Sequence, residues 1–470
     1  MEITEKKQDK VSYASSRNAC KLCAPLGASV VFKGIEGCVP IIHGSQGCAT
    51  YIRRYMISHY KEPIDIASSN FSEASTIYGG NRNFVAGINN VIKQYHPKVI
   101  GIATTCLAET IGEDVPALIA EYNQKNAGDE DLPIFVHAST PSYQGSHLDG
   151  FHEAVCAAVT TLAEKKEKPG THINLFPGFV SPADLRNLKE MLEVSGIEYT
   201  MLPDYSASLD NPFWKDYHLV PEGGTPIDHI RMTGSALGSV ELGLVLNKGA
   251  LAGRIRNANK VTTAGEWLES NCDVPNHRIL MPVGIDATDE FIRTVEQASG
   301  KKIHEKYELQ RGRLVDAYID GHKYVFGKRA VVYGDEDLVM GIVSFLKEIG
   351  IIPVVIASGG ESGFMKSELQ KHIGDLGPDS IVMNGTDFET IREEIASLKP
   401  DFLIGNSKGY YIARELGIPL VRVGFPVHDR VGGPRIEHLF YSGAQRLFDS
   451  IVNVLLEYKQ EHSPIGYKYM

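Results

Sequence analysis

Short apolar runs alternate with amphipathic stretches along most of this chain, and that alternation limits the folds open to it more than any other feature. The run 98–104 reads as a buried strand, and 108–121 follows it with Ala, Val, Leu and Ile at helical spacing. Strand 173–176 leads to Ser181-Pro-Ala-Asp184, where serine suits an N-cap and proline the first turn. Helix 183–195 then ends at Gly196, and strand 197–202 follows. The segment 203–225, rich in Asp, Pro, Gly and Tyr, reads as a long loop, and 260–325 returns to alternation. A third series runs from strand 328–334 through helix 337–349 to strand 351–356, then strand 401–405, Asn406-Ser-Lys-Gly409, a helix and strand 419–423. Units of this kind pack as parallel sheets with helices on both faces, and their ligands bind beyond the C-terminal strand ends. The expected fold is α/β, with three Rossmann-like doubly wound domains. The expected boundaries are a polar arm over 1–18, a cysteine-bearing domain over 19–165, a second domain over 166–326, and a third over 327–470 closed by a C-terminal helix. The charged connection Glu164-Lys-Lys-Glu-Lys-Pro-Gly170 marks the first internal boundary.

Composition narrows the function. In 470 residues, 43% are hydrophobic and 22% charged, which excludes a wholly disordered or collagen-like chain. Lys plus Arg total 47 against 58 for Asp plus Glu, a formal charge of -11 that repels a polyanion, so no nucleic-acid partner is expected. No apolar run approaches the roughly 18–20 residues of a membrane span, and the start MEITEKKQDK lacks a signal-peptide core. A cytoplasmic location and no membrane partner are therefore expected. Neither G-x-x-x-x-G-K-[ST] nor a strand-to-helix G-x-G-x-x-G is present. Asp335 and Asp337 follow a strand where a ribose could sit, but helix N-termini attract carboxylates for dipole reasons alone, and that reading is preferred.

The seven cysteines, at 20, 23, 38, 48, 106, 156 and 272, are odd in number and too few for a disulfide framework. Three stand at turn positions suited to a ligand. Cys23 opens a loop into an apolar segment, Cys48 ends His43-Gly-Ser-Gln-Gly-Cys48 just ahead of a helix, and Cys106 follows strand 98–104. Loops and helix N-termini stabilise thiolates, and thiolates are the ligands of iron–sulfur clusters. In such a site Gly44 and Gly47 would let backbone approach a cluster, and Ser45 either donates to a sulfur or caps the helix. Cys20 and Cys23 form a C-x-x-C, yet nothing nearby completes a zinc site. Cys38, Cys156 and Cys272 read as packing thiols.

The runs Lys21-Leu-Cys-Ala-Pro-Leu-Gly-Ala28, Gly37-Cys-Val-Pro40, His43-Gly-Ser-Gln-Gly-Cys48, His59-Tyr-Lys-Glu-Pro63, Thr104-Thr-Cys-Leu-Ala-Glu-Thr-Ile-Gly-Glu-Asp114, Ser139-Thr-Pro-Ser-Tyr-Gln-Gly-Ser-His147, Gly405-Asn-Ser-Lys-Gly409 and Arg422-Val-Gly-Phe-Pro-Val-His-Asp-Arg430 resemble the beta-type chain of the nitrogenase component 1 family. The resemblance runs from about residue 18 to 455. It implies three Rossmann-like domains around metal clusters, and an oxidoreductase subunit of nitrogen fixation or of a nitrogenase-like reductase. By resemblance, Cys23, Cys48 and Cys106 match the beta-chain thiolates of the interfacial P-cluster, with the gaps between them kept. Ser142 matches a serine that can ligate the oxidised cluster. Tyr51, one helical turn beyond Cys48, matches a residue between the P-cluster and the active-site cofactor. Tyr78 matches an aromatic position where the ATP-driven iron protein docks.

The resemblance thus implies a beta-type subunit that holds half of an interfacial iron–sulfur cluster, of the [8Fe-7S] P type or [4Fe-4S]. It would relay electrons from the iron protein to a cofactor in an alpha-type partner, within a heterotetramer. The alternative within the family is a non-catalytic scaffold for assembly of the iron-molybdenum cofactor. Cys20 is extra relative to the typical beta chain. Residues matching the alpha chain's cofactor ligands are missing, so no catalytic residue is assigned to this chain.

Overall fold

The computed structural model describes residues 20–245, 263–378 and 380–466. The arm expected over 1–18 and the chain end 467–470 lie outside the described residues. Three parallel sheets carry the architecture. The first contains β1 (Cys38–His43), β2 (Ala67–Ser68), β3 (Val99–Thr104) and β4 (Ile134–Ala138) in the order β2-β1-β3-β4. The second contains β5 (Ile173–Phe176), β6 (Tyr199–Met201), β7 (Ser239–Leu242) and β8 (Asn276–Ile279) in the order β6-β5-β7-β8. The third contains β9 (Arg329–Gly334), β10 (Ile352–Ser358), β11 (Ile381–Met383), β12 (Phe402–Gly405) and β13 (Leu420–Arg422) in the order β11-β10-β9-β12-β13. Strands β1, β3, β5, β7 and β12 are buried along their whole length, as strands covered on both faces must be. The expected α/β class with parallel sheets is what the chain adopts.

In the first sheet β1 pairs with β2 on one side and β3 on the other, so the strand order reverses between β1 and β3. His43 lies beside Thr104 in that register, and their C-terminal ends open on one rim. A doubly wound sheet leaves its ligand crevice at this point. Around the rim stand helices α1 (Ala24–Lys33), α2 (Gln46–Tyr60), α3 (Glu73–Tyr78), α4 (Asn81–Tyr95), α5 (Cys106–Ile111), α6 (Val115–Lys125) and α7 (His147–Leu162). The helix expected over 108–121 is two helices. Gly112 adopts a left-handed conformation that ends α5, and Asp114 accepts from the Ala117 N–H to start α6.

Helices α1 and α7 meet backbone to backbone. A Cβ on Gly27 would lie 1.7 Å from the His147 carbonyl oxygen, and one on Gly150 would lie 1.9 Å from that of Ala24. Only glycine permits this approach, so neither position tolerates a side chain. The contact fixes the start of α1, where Cys23 stands.

Candidate metal centre

Each of the three cysteines singled out by sequence opens a helix. Cys23 is the N-cap of α1, followed by Pro25 in the first turn. Cys48 lies inside the first turn of α2 rather than ahead of it, because Ser45 is the N-cap and its hydroxyl accepts from the Gly47 N–H at 3.3 Å. Cys106 is the first residue of α5, with Thr105 capping toward Ala108. The turn between β1 and α2 passes through Gly44 at φ +152°, where a Cβ would sit 2.0 Å from Thr105 Oγ1. The two cysteine-bearing turns therefore pack directly on each other, and the Thr105 N–H donates to the His43 carbonyl at 3.1 Å.

Ser142 ties the remaining segment in. Its hydroxyl accepts from the Ala24 N–H at 3.1 Å, and its own N–H donates to Cys106 Sγ at 3.2 Å. One residue thus bridges the start of α1 and the start of α5. Cys23 and Cys106 are half-buried and Cys48 is exposed, all as free thiols. Burial pushes the Cys48 thiol up, and charge on Cys23 or Cys106 pushes it further; burial also raises Cys23, as does charge on Cys106, against hydrogen bonding from Ser142. For Cys23 and Cys48, desolvation and mutual repulsion oppose the thiolates that helix N-termini were expected to favour, in this chain alone. A cationic group bound here would displace protons from Cys23 and Cys48.

Among the described residues, no three His, Cys, Asp or Glu side chains converge to hold a single metal ion. A mononuclear site needs about four ligands around one point. What this rim offers is a set of soft sulfur donors, partly open, with a backbone N–H already directed at one sulfur. That donor chemistry fits part of an iron–sulfur shell, where hydrogen bonds to sulfur tune the bound group.

The other predicted residues separate into groups. Tyr51 lies one turn along α2 from Cys48, exposed, with its ring 4.7 Å from Tyr55. Tyr78 ends α3 and is 87% exposed, beside Ile77 at 73%. Cys20 does not join Cys23: it is buried against Tyr333 and Val331 of the third sheet, where burial raises its thiol to about 12. Cys38 and Cys272 are buried in the main core, and Cys156 is half-buried. Asp337 accepts from the Leu244 and Val245 N–H groups at 2.6 and 3.0 Å, and Asp335 pairs with His147 at 3.1 Å. Both carboxylates are engaged within the protein.

Three residues near the rim were not singled out from sequence. His147 accepts from the Leu22 N–H through Nδ1, which anchors the approach to Cys23. Lys408 Nζ donates to the Lys21 carbonyl at 3.4 Å and sets a positive charge near Cys20 and Cys23. Glu113 meets the His43 imidazole at 3.3 Å. Glu113 and His147 both lie inside conspicuous motifs, but their roles depend on partners distant in sequence.

A doubly wound α/β chain with sulfur donors on one strand-end rim defines an iron–sulfur protein class, and comparison with known proteins places it. A profile for nitrogenase component 1 type oxidoreductases matches residues 23–456, and the chain belongs to that family. It is 36% identical over 457 residues to the nitrogenase molybdenum-iron protein beta chain of Clostridium pasteurianum, covering 97% of this chain and 95% of that one. The beta chain of the same protein from Methanococcus maripaludis is 34% identical over 452 residues, with 94% of each chain covered. Among solved structures, nitrogenase Cp1 at pH 6.5 matches with a TM-score of 0.89 at 34% identity, over 100% of this chain and 98% of that one. A second chain, from nitrogenase Cp1 at pH 5, matches at 16% identity with a TM-score of 0.69, which reflects the fold alone. Within the family this chain is of the beta type.

Proposed function

We propose that this chain is the beta-type subunit of a nitrogenase component 1 complex, paired with an alpha-type subunit in a cytoplasmic heterotetramer and supplied with electrons by an ATP-driven iron protein. Cys23, Cys48 and Cys106 hold this chain's half of an interfacial P-type cluster. When bound, such a cluster supplies one-electron storage at a water-excluded seam. Ser142 holds the Cys23 and Cys106 segments together and directs an N–H at the latter's sulfur. Ser45 caps the helix that carries Cys48, Tyr51 stands between the cluster and the cofactor of the alpha-type partner, and Tyr78 is an anchor for the iron protein.

The observation that carries this reading is the meeting of three distant cysteine segments at the reversal point of one sheet, with their sulfurs on a partly open face. The scaffold alternative is not favoured, because the relatives matched at nearly full length are named molybdenum-iron protein beta chains. No helix among the described residues is long and apolar enough to cross a membrane. The domains over 19–165, 166–326 and 327–470 belong to the same proposal, supported by one sheet in each.

The test is co-expression with the alpha-type partner. The complex should be brown, and Cys48→Ala should remove cluster iron while the subunits stay associated. A colourless wild-type complex, or iron content untouched by the substitution, would count against the assignment.

A further inference from the structure

Helix α3, which presents Ile77 and Tyr78, is tied at both ends to the turns that carry two of the thiols. At its start, Phe71 N–H donates to the Gly44 carbonyl at 2.9 Å, and Ser72 forms a capping box with Ser75. At its end, Gly80 N–H donates to Glu113 Oε1 at 2.6 Å. The other oxygen of Glu113 faces His43 Nε2 at 3.3 Å. His43 is the last residue of β1 and leads into the turn to Cys48, and Glu113 follows the short helix that Cys106 opens.

This link is buried and stiff. The side chains of His43 and Glu113 are 1% and 9% exposed. The His43 ring is held edge-on by Phe71 at 4.8 Å and Phe84 at 5.3 Å between centroids. Burial pushes the imidazole pKa down against the pull of Glu113, and its Nδ1 finds no partner among the described residues. A carboxylate so placed has little freedom to yield when α3 is loaded, because packed interiors transmit displacement rather than absorb it.

We propose that Glu113 is a positioning residue that couples a partner seated on Ile77 and Tyr78 to the turns bearing Cys48 and Cys106. The inference rests on the reading of Tyr78 as the iron-protein anchor and of the thiols as cluster ligands. Glu113 touches no reacting group: one oxygen holds the end of the docking helix, and the other holds the strand end that aims Cys48.

The experiment uses the assembled heterotetramer carrying Glu113→Ala or Glu113→Gln, with reduced iron protein and ATP in a rapid-mixing instrument. Glu113→Ala should slow electron transfer from saturating iron protein by roughly ten- to a hundredfold, the scale of a misplacement of about 1 Å. Glu113→Gln, which still accepts from Gly80, should fall between Glu113→Ala and wild type. Iron content, iron-protein affinity and reduction by a small chelated metal reductant should stay unchanged. An unchanged rate overturns the proposal, as does equal slowing with the small reductant. Loss of iron or of affinity in both variants also overturns it, because Glu113 would then be a structural brace. Tyr78→Ala run in parallel separates the two ideas: if it leaves affinity intact the docking assignment fails, whatever the Glu113 variants do.

Discussion

At the rim of the first sheet, β1 and β3 hand over to helices whose first residues are thiols left partly open. At the matching rim of the third sheet, β9 hands over to Asp335, Glu336 and Asp337, which the chain itself occupies. Asp337 receives two backbone N–H groups from the turn that follows β7, Asp335 faces His147 Nε2 at 3.1 Å, and Glu336 receives the Ser362 hydroxyl at 2.7 Å. The strand order reverses at both rims, between β1 and β3 and between β9 and β12. Topology therefore creates the opening, and the side chains decide whether it serves a ligand or fastens neighbouring parts of the fold together. Carboxylates engaged by donors from neighbouring elements close the third rim, whereas thiols that stay partly exposed leave the first one available.

Substitutions at the two rims should separate iron from stability. Cys106→Ala should abolish most cluster iron in the assembled complex and change the unfolding free energy of the iron-free chain by less than about 1 kcal/mol. Asp337→Ala should do the reverse. Leaving the Leu244 and Val245 N–H groups without their acceptor costs about 2–4 kcal/mol of stability, read by denaturant unfolding, while iron per folded complex holds. Iron loss from Asp337→Ala without destabilisation would erase the distinction.

The third rim also predicts a pH dependence. Burial raises the Glu336 carboxyl from 4.5 to about 8. Between those values the native state holds a proton that the unfolded state has released, so this group's contribution to stability falls as pH rises through the window. Glu336→Gln should flatten that slope in unfolding measured from pH 5 to 8, and an unchanged slope would move the effect to other groups. The smallest effect belongs to the first rim's outer edge. Tyr78→Ala should weaken iron-protein binding by about 1–2 kcal/mol with iron content intact, as expected for one exposed aromatic anchor.

How far the sequence carried these distinctions depended on the range of each interaction. Strand 173–176 and the N-cap at Ser181 were legible because apolar run, Ser-Pro pair and Gly196 are local signals, and the structure has Ile173–Phe176 and a helix Pro182–Val194 there. The single helix read over 108–121 failed because helical spacing persists across Gly112, whose left-handed turn the periodicity does not register. Thiols at helix starts were legible from the turn residues before them. The raised pKa of Cys23 and Cys48 was not, since it sums burial and the charge of sulfurs far along the chain. Glu113 was invisible for the same reason: its partners lie 33 and 70 positions away.

Because Gly27 and Gly150 let two helices touch without intervening side chains, a side chain at either position would shift the start of α1, where Cys23 stands. On the proposed reading, helix packing as well as the thiols themselves shapes this chain's side of the cluster seam, so a substitution at either glycine should lower iron content without removing a ligand.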